Sequence, residues 1–216
     1  MNDVEQITNE AEQINPWMDI WTRPRQTIDW IIGNHSSLLT TLTLIYVGGV
    51  CFGIQQAEVK SLGDQKELSN ILITSIFISG LGGLVIYNLW VFAIEFCSLL
   101  FGGKGNFKKT QTAFAWAMLP VIASLILTLI GYVLFGEELF ASKKSNIDSS
   151  DFLTVSFWTY AIIKFLLGIW HLVLIIILVS QVQKLPVIKS AASIVMGFLL
   201  VVSVLVGIVF LLRSAI

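Results

Sequence analysis

The sequence predicts an all-α polytopic membrane protein, a bundle of five transmembrane helices preceded by short interfacial helices. Three observations carry this expectation. Hydrophobic residues make up 56% of the 216, charged residues only 12%, and mean hydropathy is +0.83. A soluble domain has roughly 25% charged residues, so this chain has about half the charge needed to cover a globule of its size. The apolar residues also gather into five runs, each about the ~20 residues needed to cross the hydrocarbon core, or longer. This composition excludes a disordered chain. The 13 Lys and Arg against 14 Asp and Glu leave a net charge of −1. No cationic excess is available to neutralise phosphates, and no nucleic-acid partner is expected.

The chain divides into an acidic tail (1–14), an amphipathic interfacial segment (15–35) and a five-helix transmembrane domain (36–216). The tail carries Asp3, Glu5, Glu10 and Glu12 and reads as disordered, without the basic start of a cleaved signal. Asn15 can cap a helix whose first residue is Pro16, and Pro24 can open a second one. Trp17, Ile20, Trp21, Ile28 and Trp30 give this segment an apolar side, with Arg23 and Arg25 beside it. An amphipathic stretch of Trp and Arg suits the headgroup layer. Packing of the same tryptophans on the bundle is the other reading, and the two are compatible.

The spans are expected at Ser36–Gln55, Ile71–Phe101, Ala113–Phe135, Phe152–Val182 and Val187–Leu212. The second and fourth exceed the minimum by about ten residues and should tilt or project. Pro120 should kink the third. Pro186 should start the last helix. Small residues at Gly49/Gly53, Ser75/Ser79/Gly83, Ser193/Gly197 and Ser203/Gly207 are spaced for close helix approach.

Orientation follows from Lys and Arg. One side would hold Arg23, Arg25, Lys104, Lys108, Lys109, Lys184 and Lys189, and its loops 102–112 and 183–190 contain no acid. The other would hold Lys60, Lys66, Lys143, Lys144 and Arg213 among seven acids: Glu58, Asp64, Glu67, Glu137, Glu138, Asp148 and Asp151. The N-terminus is therefore expected in the cytoplasm and the C-terminus outside, in the cell membrane.

Loop 102–112 is glycine-rich around Lys104, but the P-loop spacing is not met: Gly105 follows the lysine, and the flanks are membrane helices rather than a strand and a helix. A basic turn near anionic headgroups is the expectation, and no nucleotide. Cys51 and Cys97 lie inside spans and act as small apolar residues. His35 and His171 are too far apart in the chain to suggest a metal set. No nucleophile–base or zinc-protease motif occurs. No cofactor, metal or catalysis is expected.

The ionisable groups within spans are Glu95, Lys164 and His171, with Asn88 as neutral company. Counting from the cytoplasmic ends at ~1.5 Å per residue puts Glu95 about 10 Å deep and Lys164 about 30 Å away. These two should not pair. Lys164 should snorkel outward among Trp158 and Tyr160. Asn88 and His171 come out level, so the Asn88 face of the second span is expected to meet the His171 face of the fourth. Level with Glu95 lie Thr40, Thr41, Thr43, Trp116, Ser190 and Ser193, with Thr112 nearer the surface. Glu95 could line a cavity open to the cytoplasm, or be a structural carboxyl bonded to neighbours.

Two stretches carry a family resemblance: Asn15 through Arg25 (Asn-Pro-Trp-Met-Asp-Ile-Trp-Thr-Arg-Pro-Arg), and Gly102 through Lys108 continuing to Ala113–Pro120. In this order, with five spans, the chain resembles the Yip family (Yip-one domain, named for Ypt/Rab-interacting proteins) in its prokaryotic branch, from about Pro16 to the end. The resemblance implies a five-helix membrane protein without known catalytic activity. Eukaryotic relatives are tied to Rab-type GTPases, but their Asp-Leu-Tyr-Gly-Pro-like motif is missing here, where Trp21-Thr22-Arg23-Pro24 stands instead. The GTPase role is not carried over. The expected function is non-enzymatic. It would work through a lipid bilayer and a membrane-protein partner or self-association, organising membrane or serving a transport complex as an accessory subunit. A small-solute carrier with a cavity at Glu95 is the alternative.

Overall fold

A computed structural model describes residues 14–34 and 37–214. The acidic tail expected over 1–14, except Ile14, lies outside the described residues, as does His35. Helices α1 (Pro16–Asp19), α2 (Pro24–Gly33) and α3 (Leu38–Val59) come first. They are followed by α4 (Leu68–Leu100), α5 (Phe107–Ala117), α6 (Leu119–Phe135), α7 (Ser145–Asp148), α8 (Asp151–Gln183) and α9 (Val187–Ser214). Five stretches are long and apolar enough to cross a membrane: α3, α4, α5 with α6, α8, and α9. The all-α polytopic expectation holds.

Local chemistry sets the boundaries. Asn15 Oδ1 accepts from the Trp17 N–H at 3.2 Å, and Pro16 and Pro24 occupy first-turn positions that need no N–H partner. Asn106 caps α5, accepting from the Lys109 N–H at 3.0 Å. α8 ends where Lys184 turns left-handed at φ 54°.

The third span departs from the single kinked helix expected. It begins at Phe107, six residues ahead of Ala113, and breaks at Met118 into α5 and α6. Pro120 lies in the first turn of α6 and has no N–H to offer the Trp116 carbonyl, so the ladder is interrupted rather than bent. The earlier start places Thr110, Gln111 and Thr112 inside a helix whose residues from Thr110 to Ala117 are all buried.

α5 lies at the centre of the packing, against α3, α4 and α8. α9 packs on α4, α6 on α8, and α3 on α4. The α3–α4 contact is backbone-close. A Cβ at Gly49 would lie 2.6 Å from the Ser79 carbonyl oxygen, and one at Gly53 2.5 Å from Ser79 Oγ. Here α4 widens into a π turn over Thr74–Ser79, and the Tyr46 hydroxyl donates to the Ile76 carbonyl at 3.0 Å. Gly197 likewise meets α4 closely, at Ile94, whereas nothing approaches Gly207.

The N-terminal segment packs on the bundle. Ile20, Ile28 and Ile31 are buried in the main core, α2 lies along α8, and the Gln181 amide donates to Asp29 at 2.7 Å. The Trp17 ring lies tilted against buried Trp116, with centroids 4.9 Å apart, while remaining half exposed. Trp30 also faces outward.

Candidate functional sites in the bundle

Glu95 stands on α4 seven residues before Gly102, and its carboxylate gathers groups from two other helices. Thr110 Oγ1, on α5, donates to it at 2.5 Å, and the Gln183 amide at the end of α8 donates to the same oxygen. The Gln183 amide also donates to Thr110 Oγ1 at 2.8 Å. Its own carbonyl oxygen accepts from the Gly105 N–H at 3.0 Å, and its main-chain carbonyl accepts from the Lys104 N–H at 2.9 Å. Thr110 and Gln183 are fully buried and Glu95 partly so. The glycine-rich turn is thus folded over Gln183. Cβ atoms at Gly103 or Gly105 would each lie 2.6 Å from that side chain. Sequence reading missed Thr110 and Gln183 because both fell outside the assumed spans. Ser193, expected level with Glu95, instead accepts from Ser98 at 3.1 Å and ties α4 to α9.

The expected meeting of Asn88 and His171 does not occur. Asn88 Oδ1 accepts from Gln111 Nε2 at 2.5 Å, and its amide donates to the Leu84 carbonyl of its own helix. His171 Nδ1 lies 2.7 Å from the Ala117 carbonyl oxygen. A carbonyl only accepts, so Nδ1 carries the proton. α5 fills the space between α4 and α8, and each polar group finds a partner on it. His171 binds a carbonyl at the α5–α6 break, where a helix end leaves acceptors without intrahelical donors.

Lys164 does not snorkel outward. Its ammonium lies 2.7 Å from Glu58 Oε2, both side chains being 12% exposed. It also donates to Thr128 Oγ1 at 3.1 Å and to the Tyr160 hydroxyl at 3.0 Å. Tyr160 in turn donates to Glu58 at 3.0 Å. Glu58, read from the sequence as a loop residue, lies in the last turn of α3, which continues past Gln55 to Val59. Glu58 gives the ammonium a charged partner inside the bundle. Trp158, expected beside Lys164 at the interface, is exposed.

Of the remaining sequence candidates, Trp21 donates its indole N–H to the Trp17 carbonyl at 3.1 Å. The Arg23 carbonyl accepts from the Thr27 hydroxyl at 2.8 Å, just before Pro24 starts α2. Lys104 is exposed on the turn. The Lys104 main chain joins the Glu95 cluster through Gln183, whereas the bonds of Trp21 and of the Arg23 carbonyl stay within the N-terminal segment.

At the opposite end of the bundle, two connections are laced together. The Ser142 N–H donates to both Asp64 oxygens at 3.1 and 3.2 Å. Hydrogen bonding from Ser142, hydroxyl first and main chain second, holds the Asp64 carboxyl below the usual carboxylate range. Lys144 donates to the carbonyls of Glu138 and Ala141, and its ammonium lies 4.8 Å from the centre of the Phe157 ring. Partial burial pushes its ammonium down from the ordinary lysine value, against the pull of Glu138, Glu58, Asp148 and Asp64. A cleft of about 650 Å³ opens beside these connections, lined by Gln65, Lys66, Glu67 and Glu137 among others. Among the described residues, no three His, Cys, Asp or Glu side chains gather to hold a metal ion.

Against known families, the Yip1 domain matches residues 18–211 of this chain. The chain belongs to the Yip1 family. Among curated proteins and among solved structures, none matches. The Yip1 match runs through α2 into α9 and takes in the polar clusters of Glu95, Asn88 and Glu58. Multi-pass insertion follows from the five apolar stretches.

Proposed function

We propose that this Yip1-family membrane protein works without catalysis, through lipid and protein partners. It would organise membrane or serve as an accessory subunit of a transport complex. One contrast supports this reading. Among the described residues, every buried side-chain nitrogen and oxygen has a hydrogen-bond partner. The outward faces of α4 and α9, by contrast, are apolar and uncovered, with Phe77, Leu81, Phe92, Val206 and Phe210 all more than half exposed. Interior polarity is used in joining helices, and the surface left over suits hydrocarbon or another apolar helix. Glu95, bonded to Thr110 and Gln183, reads better as an interhelical tie than as the wall of a solute path. The protein would sit in the cell membrane with its basic end and N-terminus in the cytoplasm. Trp17, Trp30 and Arg25 would lie in the headgroup layer.

Affinity purification in mild detergent tests this proposal. A stoichiometric membrane-protein partner, or a defined homo-oligomer, is expected. Repeated recovery of a bare monomer, together with solute flux in proteoliposomes that vanishes in Glu95→Gln, would replace it with a carrier.

A further inference from the structure

We propose that the two basic turns at the Lys104 end form one docking platform for anionic phospholipid headgroups. The fold, not the sequence, assembles it. The turn after α4 and the turn after α8 are far apart in the chain, yet the Lys104 N–H donates to the Gln183 carbonyl and the Gly105 N–H to the Gln183 side chain, at 2.9 and 3.0 Å. Lys104 and Lys184 therefore rise from hydrogen-bonded stretches of backbone. Lys108 and Lys109 stand in the first turn of α5, and Lys189 in the first turn of α9. All five lysines are exposed, and none is ion-paired within the described residues.

Among the described residues, no carboxylate forms an ion pair with these lysines. The carboxylates described at this end have partners other than these lysines: Asp19 accepts from the Asn15 N–H, Asp29 from Gln181, and Glu95 from Thr110 and Gln183, so five lysine charges face three carboxylates. The far end is different in kind, since Lys60, Lys66, Lys143 and Lys144 share it with Glu67, Glu137, Glu138 and Asp148. The choice of ligand follows from position. The lysines stand where four membrane-crossing stretches end or begin, and basic clusters beside spans attract anionic lipid. Because Gln183 holds both turns, their backbones are joined before lipid arrives, and binding has only the lysine side chains to order. This inference is independent of the protein partner proposed above; it requires only that the chain spans a bilayer.

The test uses the full chain in nanodiscs of phosphatidylcholine mixed with phosphatidylglycerol, with the lipid retained on extraction measured by mass spectrometry. Wild type should retain phosphatidylglycerol several-fold above its share of the bulk, and rising salt should erase the enrichment. Substituting Lys104, Lys108, Lys109, Lys184 and Lys189 by Gln should bring retention to the bulk ratio, while substituting Lys60, Lys66 and Lys143 by Gln should leave it high. Thermal protection by phosphatidylglycerol should disappear in the first variant only. Inorganic phosphate in phosphatidylcholine discs should give no protection; if it protects as well as the lipid, the site is for phosphate and not for headgroups. Enrichment that is absent in wild type, or unchanged in the five-lysine variant, overturns the proposal.

Discussion

Lys164 reaches across the bundle to Glu58, bringing its ammonium 2.7 Å from the carboxylate with 12% of each side chain exposed. The pair joins α8 to α3, and Thr128 adds α6. Taking both charges out of water is costly, so the pair orients helices more than it stabilises them; removing one charge, however, strands the other, at about 3–5 kcal/mol. Glu58→Gln and Lys164→Met alone should each lower the midpoint of unfolding in detergent strongly. The double variant should recover most of the loss. A double variant no better than the worse single one would contradict the pairing.

Gln183 is the corresponding tie at the Lys104 end. Glu95→Gln keeps an oxygen that can accept from Thr110 and Gln183, so it should cost little. Glu95→Ala removes that acceptor, leaving the Thr110 hydroxyl with the Asn106 carbonyl and the Gln183 amide with Thr110 Oγ1, and should cost about 1 kcal/mol or more. Gly105→Ala should also destabilise, because its Cβ would lie 2.6 Å from the Gln183 amide carbon, which is fully buried and bonded on several sides. Unfolding midpoints of the three variants check this ordering. Glu95→Gln matching Glu95→Ala would show that the ionised form itself matters.

These two ties also mark where sequence reading fails. The spans were legible because twenty apolar residues in a row have few other uses. Depth was not fixed by counting from the hydropathy edges: α5 starts six residues before Ala113, so it is Thr110, not Trp116, that meets Glu95. Nor was azimuth: Asn88 meets Gln111 and His171 meets Ala117 on the intervening α5, and residue counting has no term for a helix that stands between two others. Glu58, Thr110 and Gln183 were missed for a different reason. Each lies just outside an apolar run, where polarity reads as loop, although the helices extend past the hydropathy edges. A useful signal was available in Gln and Thr placed within a turn of the edge opposite a membrane carboxylate, because such a carboxylate needs donors.

Backbone contact between α3 and α4 gives a third prediction. Gly49→Ala places a methyl group 2.6 Å from the Ser79 carbonyl oxygen and 3.1 Å from Gly83 Cα, neither of which can rotate away. The helices must separate, and the loss should be about 1–3 kcal/mol, as for other overpacked contacts. Gly82→Ala, one position from Gly83 and with nothing within 4 Å, should be neutral or slightly stabilising through helix propensity. Thermal unfolding in detergent separates the two. Equal effects would mean that α3 and α4 do not approach this closely.

Acid should loosen the far end by a route with a definite sign. Asp64 has a folded value below its ordinary one because Ser142 hydrogen-bonds the ionised form. Its contribution is therefore fully present above the unfolded carboxylate value of about 4, and is lost only as pH falls through the lower folded value. Lys144 runs the other way. Burial disfavours its charged form, so whatever it costs the fold is relieved as pH rises through its lowered value, on the alkaline side. Amide exchange at Ser142, whose N–H faces the Asp64 carboxylate, should stay protected from neutral pH down to about pH 4 and weaken below it, once the intrinsic pH dependence of exchange is removed. Asp64→Asn should weaken protection already at neutral pH and flatten that acid dependence. Protection that weakens well above pH 4 in the wild-type chain would mean that a group other than Asp64 holds the 61–66 turn to the 136–142 connection.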